Sequence, residues 1–266
     1  MIKFISLASG SSGNCYYIAT SQTALLIDAG IGVRTIKKHL KDYNISLSSI
    51  HAILVTHDHA DHIKSIGCLG EKYYIPVYTT KEVHLGINRS YCMTEKLKTS
   101  AHTLEKESPI ELGDFKITAF EVPHDGTDNV GYLLEAEGKR FCFATDIGHI
   151  TPIASYYMCK ANYLILEANY DEEMLRMGTY PAYLKERIVG PKGHLSNAEA
   201  AEFLAEHIGE ELKYVWLCHL SKDNNHPELA YKTIEWELRS KGIIVGKDLQ
   251  VVALKRNVPS ELYEFE

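Results

Sequence analysis

The chain has 266 residues, 45% of them hydrophobic and 24% charged, enough to bury a sizeable core and typical of an ordinary soluble globular protein. Its formal net charge of −7 excludes a basic field over the whole molecule, so any nucleic-acid binding requires a local patch.

Residues 3–8, 15–19 and 24–27 are rich in apolar residues and predict three opening strands joined by short turns. The apolar run from Phe4 to Ala8 is too short for a signal peptide, and no stretch approaches membrane-spanning length, so no membrane partner is expected. The first turn, Ser9-Gly10-Ser11-Ser12-Gly13-Asn14, lacks the lysine and following helix of a phosphate loop and reads as a tight turn. Asp28 ends the third strand. Residues 32–42 place Val33, Ile36, His39 and Leu40 on one helical face. The β-branched run 52–55 predicts a buried strand that feeds directly into His57-Asp58-His59-Ala60-Asp61-His62. Beyond it, 63–70 predicts a helix loosened and ended by Gly67 and Gly70, 74–78 a strand, and 80–86 a short helix. The polar segment 88–108, with Arg89, Lys96, Lys98 and Lys106, reads as a solvated loop.

In the second half, strands within 110–121 turn at Gly113-Asp114 and deliver His124 just after Pro123. A hairpin over 131–136 and 140–144 turns at Glu137-Gly138 and ends near Asp146. A strand over 163–166 leads into Glu167-Ala168, and 171–177 is helical. Ser196 or Asn197 caps a helix over 198–208, with Ala198, Ala201, Phe203, Leu204 and Ile208 facing inward. A buried strand over 214–218 presents His219, residues 228–240 form an amphipathic helix, and 249–254 is the last strand. No linker or composition shift divides the chain, which predicts one domain over 1–266.

Three histidines and two aspartates within six residues have no packing rationale, because burying so many titratable groups without a partner is costly. Imidazole nitrogen and carboxylate oxygen together suit zinc, iron or manganese, so this loop reads as a metal site. His57-x-His59-x-Asp61-His62 resembles the signature of the metallo-β-lactamase superfamily, and the later strand-end residues continue the resemblance over nearly the whole chain. That resemblance implies an α/β fold, a four-layer αβ/βα sandwich with metal held between its two sheets. It further implies that His57, His59 and His124 hold a first divalent ion, that Asp61, His62 and His219 hold a second, and that Asp146 bridges them. Asp28 matches the motif whose aspartate supports the metal histidines. Two adjacent metals lower the pKa of a shared water, giving a metal-bound hydroxide that Asp61 orients, so the reaction class is hydrolysis. A histidine at position 59 argues against the oxygen-reducing di-iron branch, which carries glutamate there.

Glu167-Ala168 and His194 resemble the catalytic couple of RNase Z and related phosphodiesterases, in which a carboxylate-held histidine supplies the departing alkoxide with a proton. Near His194 stand Arg176, Lys185, Arg187 and Lys192. Of these, Lys185, Arg187 and Lys192, with Ser196 and Asn197, are the expected substrate contacts. Tyr170, Tyr180 and Tyr183 are available to stack an unpaired base. The runs Ser9–Cys15, Leu184–Ile188, Gly193–Asn197 and His219–Ser221, with Asn224-Asn225 and Pro227–Ala230, resemble the bacterial YycJ (WalJ) branch. This implies a 5′→3′ DNA exonuclease linked to mismatch repair, with repair proteins as partners. The chain lacks the long arm of tRNA-processing enzymes and the appended domain of β-CASP nucleases, which favours a strand end or small phosphodiester over a large structured RNA. A carbonyl hydrolase, such as a glyoxalase II-like thioesterase or lactonase, is the alternative for the same metals.

Cys15, Cys68, Cys92, Cys142, Cys159 and Cys218 are scattered, with no Cys-x-x-Cys pair, and read as reduced thiols of a cytoplasmic protein. The surface helix 32–42 is as compatible with a dimer contact as with solvent, which leaves the oligomeric state open.

Overall fold

The computed structural model describes residues 1–266 except 208 and 210. The first half builds β1 (Ile2–Ala8), β2 (Cys15–Ala19) and β3 (Ala24–Ile27) as an antiparallel meander. From β3 onward the pairing turns parallel through β4 (Ala52–Leu54), β5 (Val77–Thr79) and β6 (Ala101–Thr103). Parallel neighbours need crossovers. These are supplied by α1 (Val33–Asp42), by α2 (Ala60–Ile63) with α3 (Ile66–Tyr73), and by α4 (Lys81–Arg89).

The second half repeats the scheme. Strands β7 (Ile110–Leu112), β8 (Phe115–Glu121), β9 (Val130–Ala136) and β10 (Lys139–Ala144) are antiparallel. Glu137 and Gly138, with φ of 49° and 71°, make the tight turn between β9 and β10. After α5 (Pro152–Met158) the sheet turns parallel through β11 (Tyr163–Glu167), β12 (Tyr214–Cys218) and β13 (Gln250–Ala253). Helices α6 (Glu172–Met177), α7 (Ala182–Val189) and α8 (Asn197–His207) link β11 to β12, and α9 (Pro227–Ser240) links β12 to β13. Finally β14 (Tyr263–Phe265) returns to pair with β1, so among the described residues each sheet has seven strands.

Among the described residues three large buried apolar clusters lie between the layers. One joins Leu26, Ile53 and Val77 to Ile36 and Leu40 of α1, Leu69 of α3 and Val83 of α4. A second, rich in aromatic rings, fills the space between the sheets, with Phe4 and Trp216 centroids 4.5 Å apart. The third seats Met158 of α5, Leu204 of α8 and Ile234 of α9 on the second sheet. Helices, sheet, sheet, helices: this is the expected αβ/βα sandwich, with near-continuous apolar strands buried on both faces.

Several local expectations are corrected. Gly67 and Gly70 lie inside α3 and do not end it. A Cβ on Gly67 would stand 2.1 Å from the Glu95 carbonyl, and one on Gly70 would stand 2.5 Å from Ser100 Oγ, so close packing selects these glycines. Tyr74 closes that helix in the left-handed conformation and β5 starts only at Val77. The polar segment 88–108 contains the edge strand β6. On α8, Ala198 is exposed and Ala200 takes the inward position, whereas Ile208 lies outside the described residues.

Candidate metal centre

The site collects at the carboxyl ends of the strands, where parallel α/β sheets present their loops. Three residues that follow strands β3, β10 and β12, namely Asp28, Asp146 and His219, have φ of 59°, 50° and 53°. For a histidine this conformation costs about 1 kcal/mol, and strain of this kind is retained where the surroundings require one side-chain direction. Gly30 admits the 57–62 loop: a Cβ there would overlap the Asp61 carbonyl at 1.6 Å, while Ala29 N donates to His62 O at 2.8 Å.

Hydrogen bonds assign the imidazole faces. Asp28 is fully buried and accepts from Thr56 N and Thr56 Oγ1, both at 2.8 Å, and from His62 Nδ1 at 2.7 Å. That leaves His62 Nε2 facing the centre, 3.2 Å from Asp146 Oδ2 and 2.9 Å from the Asn14 amide nitrogen. Having donated to Asp28, Thr56 Oγ1 receives His57 Nδ1 at 3.0 Å, and His57 Nε2 is left buried without a partner. His124 Nδ1 donates to the Gly193 carbonyl at 2.8 Å, and His59 Nε2 faces Asp125 Oδ1 at 3.2 Å. Consequently His124 Nε2 and His59 Nδ1 point lone pairs at one another from 3.2 Å, an arrangement a cation relieves. Asp146 Oδ2, although close to His62, has no hydrogen-bond geometry to any described group.

The donor atoms fall into overlapping groups, each within 4.8 Å: His57 with His59 and His124, His57 with His62 and Asp146, and Asp61 with His62 and His219. Orphaned nitrogen and carboxylate oxygen in a buried cluster fit a divalent metal. The electrostatics agree. Burial opposes charge on His62, yet Asp146, Asp28 and Asp61 outweigh it and hold its pKa well above the ordinary value. His219 is likewise pushed up to about 10, against burial, by Asp146, Asp61 and Glu167. Burial, then the neighbouring imidazoles His62 and His124, pushes His57 well below the usual range. An acidic crowd that holds protons this firmly holds a cation by the same field.

In the second half Glu167, the last residue of β11, is fully buried and every contact of its carboxylate is internal. Oε2 accepts from Ile147 N at 2.8 Å and Leu195 N at 3.1 Å; Oε1 accepts from His194 Nδ1 at 2.7 Å and His219 Nδ1 at 2.9 Å. His194 is partly exposed, with its ring 4.9 Å from that of His124. The couple expected between Glu167 and His194 is therefore in contact, and it extends to His219.

The expected substrate contacts divide. Ser196 forms a capping box with Glu199, and Asn197 pairs its amide with that of Asn225, so both side chains are buried and spent internally. Lys185 Nζ donates to the carbonyls of Arg176 and Gly178 at 2.8 and 2.7 Å. Arg187 and Lys192 remain at the surface. Tyr170 is buried, Tyr180 bonds Asp223, and Tyr183 is exposed. His149 donates to the Pro191 carbonyl and His226 caps α9; neither joins the donor groups. Four side chains acquire roles only through the fold. Thr56 and Asn14 contact ring nitrogens, Asp125 faces His59, and Asn169 donates to the His219 carbonyl at 2.8 Å. Asn14 had one sequence signal, its place in a glycine-rich turn directly after the first strand.

A family model described as a beta-lactamase superfamily domain matches residues 23–219. The chain is 33% identical to the exodeoxyribonuclease YycJ of Bacillus anthracis over 98% of both proteins. It is 35% identical to the exodeoxyribonuclease WalJ of Streptococcus pneumoniae over 98% of this chain and 97% of that one. Among solved structures, zinc-bound PqqB from Methylobacterium extorquens shares the fold with a TM-score of 0.70 at 17% identity, covering 97% of this chain and 99% of that one.

Proposed function

The chain belongs to the metallo-β-lactamase superfamily, and on that premise we propose that it is a dinuclear metal-dependent phosphodiesterase that degrades DNA from a 5′ end, in the cytoplasm and in DNA mismatch repair. The observation that carries the reading is the Glu167–His194 contact of 2.7 Å beside the metal donors, since metal binding alone does not require it. His57, His59 and His124 would hold one ion, Asp61, His62 and His219 the other, with Asp146 between them; zinc and manganese suit this donor set best, and iron also fits. Such a pair supplies Lewis acidity and lowers the pKa of water.

The chain's own residues supply the rest. Asp28 fixes the His62 tautomer and Thr56 that of His57, so both present Nε2 inward. Asp61, partly exposed between His62 and His219, would orient the attacking water. Hydrolysis adds the oxygen of water to phosphorus and expels an alkoxide, which needs a proton. His194, with Nδ1 fixed on Glu167, carries that proton on Nε2 and delivers it to the leaving oxygen. Arg187 and Lys192 at the rim contact the strand's phosphates.

The test uses protein stripped of metal and restored separately with Mn²⁺ or Zn²⁺, given 3′-labelled single- and double-stranded DNA beside a thioester. Progressive shortening from the 5′ end, abolished by Asp61→Ala, is expected. Thioester turnover with intact DNA would replace this reading with a carbonyl hydrolase.

A further inference from the structure

Arg187 projects from α7 onto Asp125, the residue directly after His124. Its Nε donates to Asp125 Oδ2 at 2.6 Å, while the other oxygen of the same carboxylate stands 3.2 Å from His59 Nε2. Asp125 thus joins a proposed metal ligand to an arginine across the mouth of the site. The arginine side chain is 54% exposed, and among the described residues its two terminal nitrogens have no hydrogen-bond acceptor. A guanidinium held by Nε alone keeps its fork free for the paired oxygens of a phosphate. One helical turn earlier on α7 stands Tyr183, 73% exposed, which suits a base-bearing strand better than a free phosphate ion. The neighbouring Lys185 cannot share this task, because its ammonium is committed to the end of α6.

We propose that Asp125 is a positioning residue that aims Arg187 at a phosphate of the DNA strand adjoining the scissile one, so that strand recognition and the first metal position are tied through one carboxylate. This rests on the nuclease reading above. The adjoining group is either a chain phosphodiester or a 5′-terminal monophosphate, and both present the same oxygens to the arginine.

Binding is measured on the full-length, metal-depleted protein by fluorescence anisotropy of labelled single-stranded oligonucleotides, with and without a 5′-phosphate, across a salt series. Kinetics and metal content of the reloaded protein are measured beside it. Arg187→Ala is expected to weaken binding about tenfold and to reduce the slope of log K against log salt by about 0.7, the share of one phosphate contact on a single strand. In kinetics the loss falls on KM, and the preference in kcat/KM for the oligonucleotide over a nitrophenyl nucleotide diester drops by a similar factor. Arg187→Lys is expected to restore the salt slope with only part of the affinity. Asp125→Asn is expected to reproduce the binding loss, and the double variant to add nothing to it, as for two residues acting as one unit. An effect confined to the 5′-phosphorylated strand identifies the terminal phosphate as the ligand, and an equal effect on both strands identifies the chain phosphate. Wild-type affinity in Arg187→Ala, tighter binding in Asp125→Asn, or additive losses would each overturn the proposal while leaving the nuclease reading intact. A wild-type protein that neither binds nor shortens the oligonucleotides overturns both.

Discussion

Asp28 and Asp146 occupy matching places: each follows the strand at which its sheet changes from antiparallel to parallel pairing, and each takes the left-handed conformation. Their side chains do opposite things. Asp28 commits both oxygens to Thr56 and His62, within its own half of the fold. Asp146 leaves Oδ2 without a hydrogen bond among His57, His62 and the other imidazoles. Position on a strand end therefore does not separate the two aspartates; the count of satisfied lone pairs does, since Asp28 is spent and Asp146 keeps an oxygen free for a cation. By that count Glu167 belongs with Asp28, since it is buried, saturated, and holds rings it does not compete with.

The contrast breaks first at Asp146. Asp146→Ala is expected to lower the metal content per chain, measured by mass spectrometry, and to cost roughly 10³-fold in activity, because several kcal/mol of Lewis-acid assistance are lost. Metal retained in full would make Asp146 a second support. A smaller effect is expected at Asp28. Asp28→Asn keeps the shape but sets an amide against the ring nitrogen, and chelator competition should show metal affinity weaker by about 10- to 100-fold. An affinity equal to wild type would deny Asp28 its orienting role.

The smallest effect is expected at Glu71, a saturated carboxylate at the surface. It accepts from the backbone N–H groups of Lys98, Thr99 and Ser100 and from two hydroxyls, and these bonds, the one from Lys98 foremost, push its pKa down to about 2. A carboxylate with a depressed folded-state pKa contributes stability that is full above its unfolded value near 4.5 and is lost as pH falls toward 2. Thermal melts of wild type and Glu71→Gln should therefore differ above pH 5, by no more than about 1 kcal/mol given solvent screening, and converge as pH falls through about 2. A gap that widens on acidification would contradict this sign.

The candidate metal donors are legible because six adjacent residues concentrate them and the remainder stand at strand ends whose apolar runs are plain. The supports were less legible, because Thr56, Asn14, Asp125 and Asn169 act across distances in sequence that only the sandwich closes. Ser196 and Asn197 show the converse. Their neighbourhood to His194 suggested substrate contacts, whereas the helix cap and the Asn225 pair consume them. Edge strands β6 and β14 span three residues each, too short for a periodic signal, and β6 is largely exposed. Helix α5 carried a readable start, Thr151 as cap with Pro152 at the first helical position, but too few turns for a periodic face. In sequence Gly67 and Gly70 look like helix breakers, although tertiary contact with Glu95 and Ser100 explains them.

The most direct measurement is the leaving-group dependence of His194→Ala, with metal content determined on the same sample. DNA expels a poor alkoxide that needs a proton, whereas a nitrophenyl nucleotide diester expels a stable phenolate that does not. Loss of a proton donor should slow DNA cleavage by about 10²- to 10⁴-fold, with a far smaller loss on the nitrophenyl diester and the same metal content as wild type. Equal losses on both substrates, or DNA cleavage at the wild-type rate, would contradict a phosphodiesterase built on the Glu167–His194 couple.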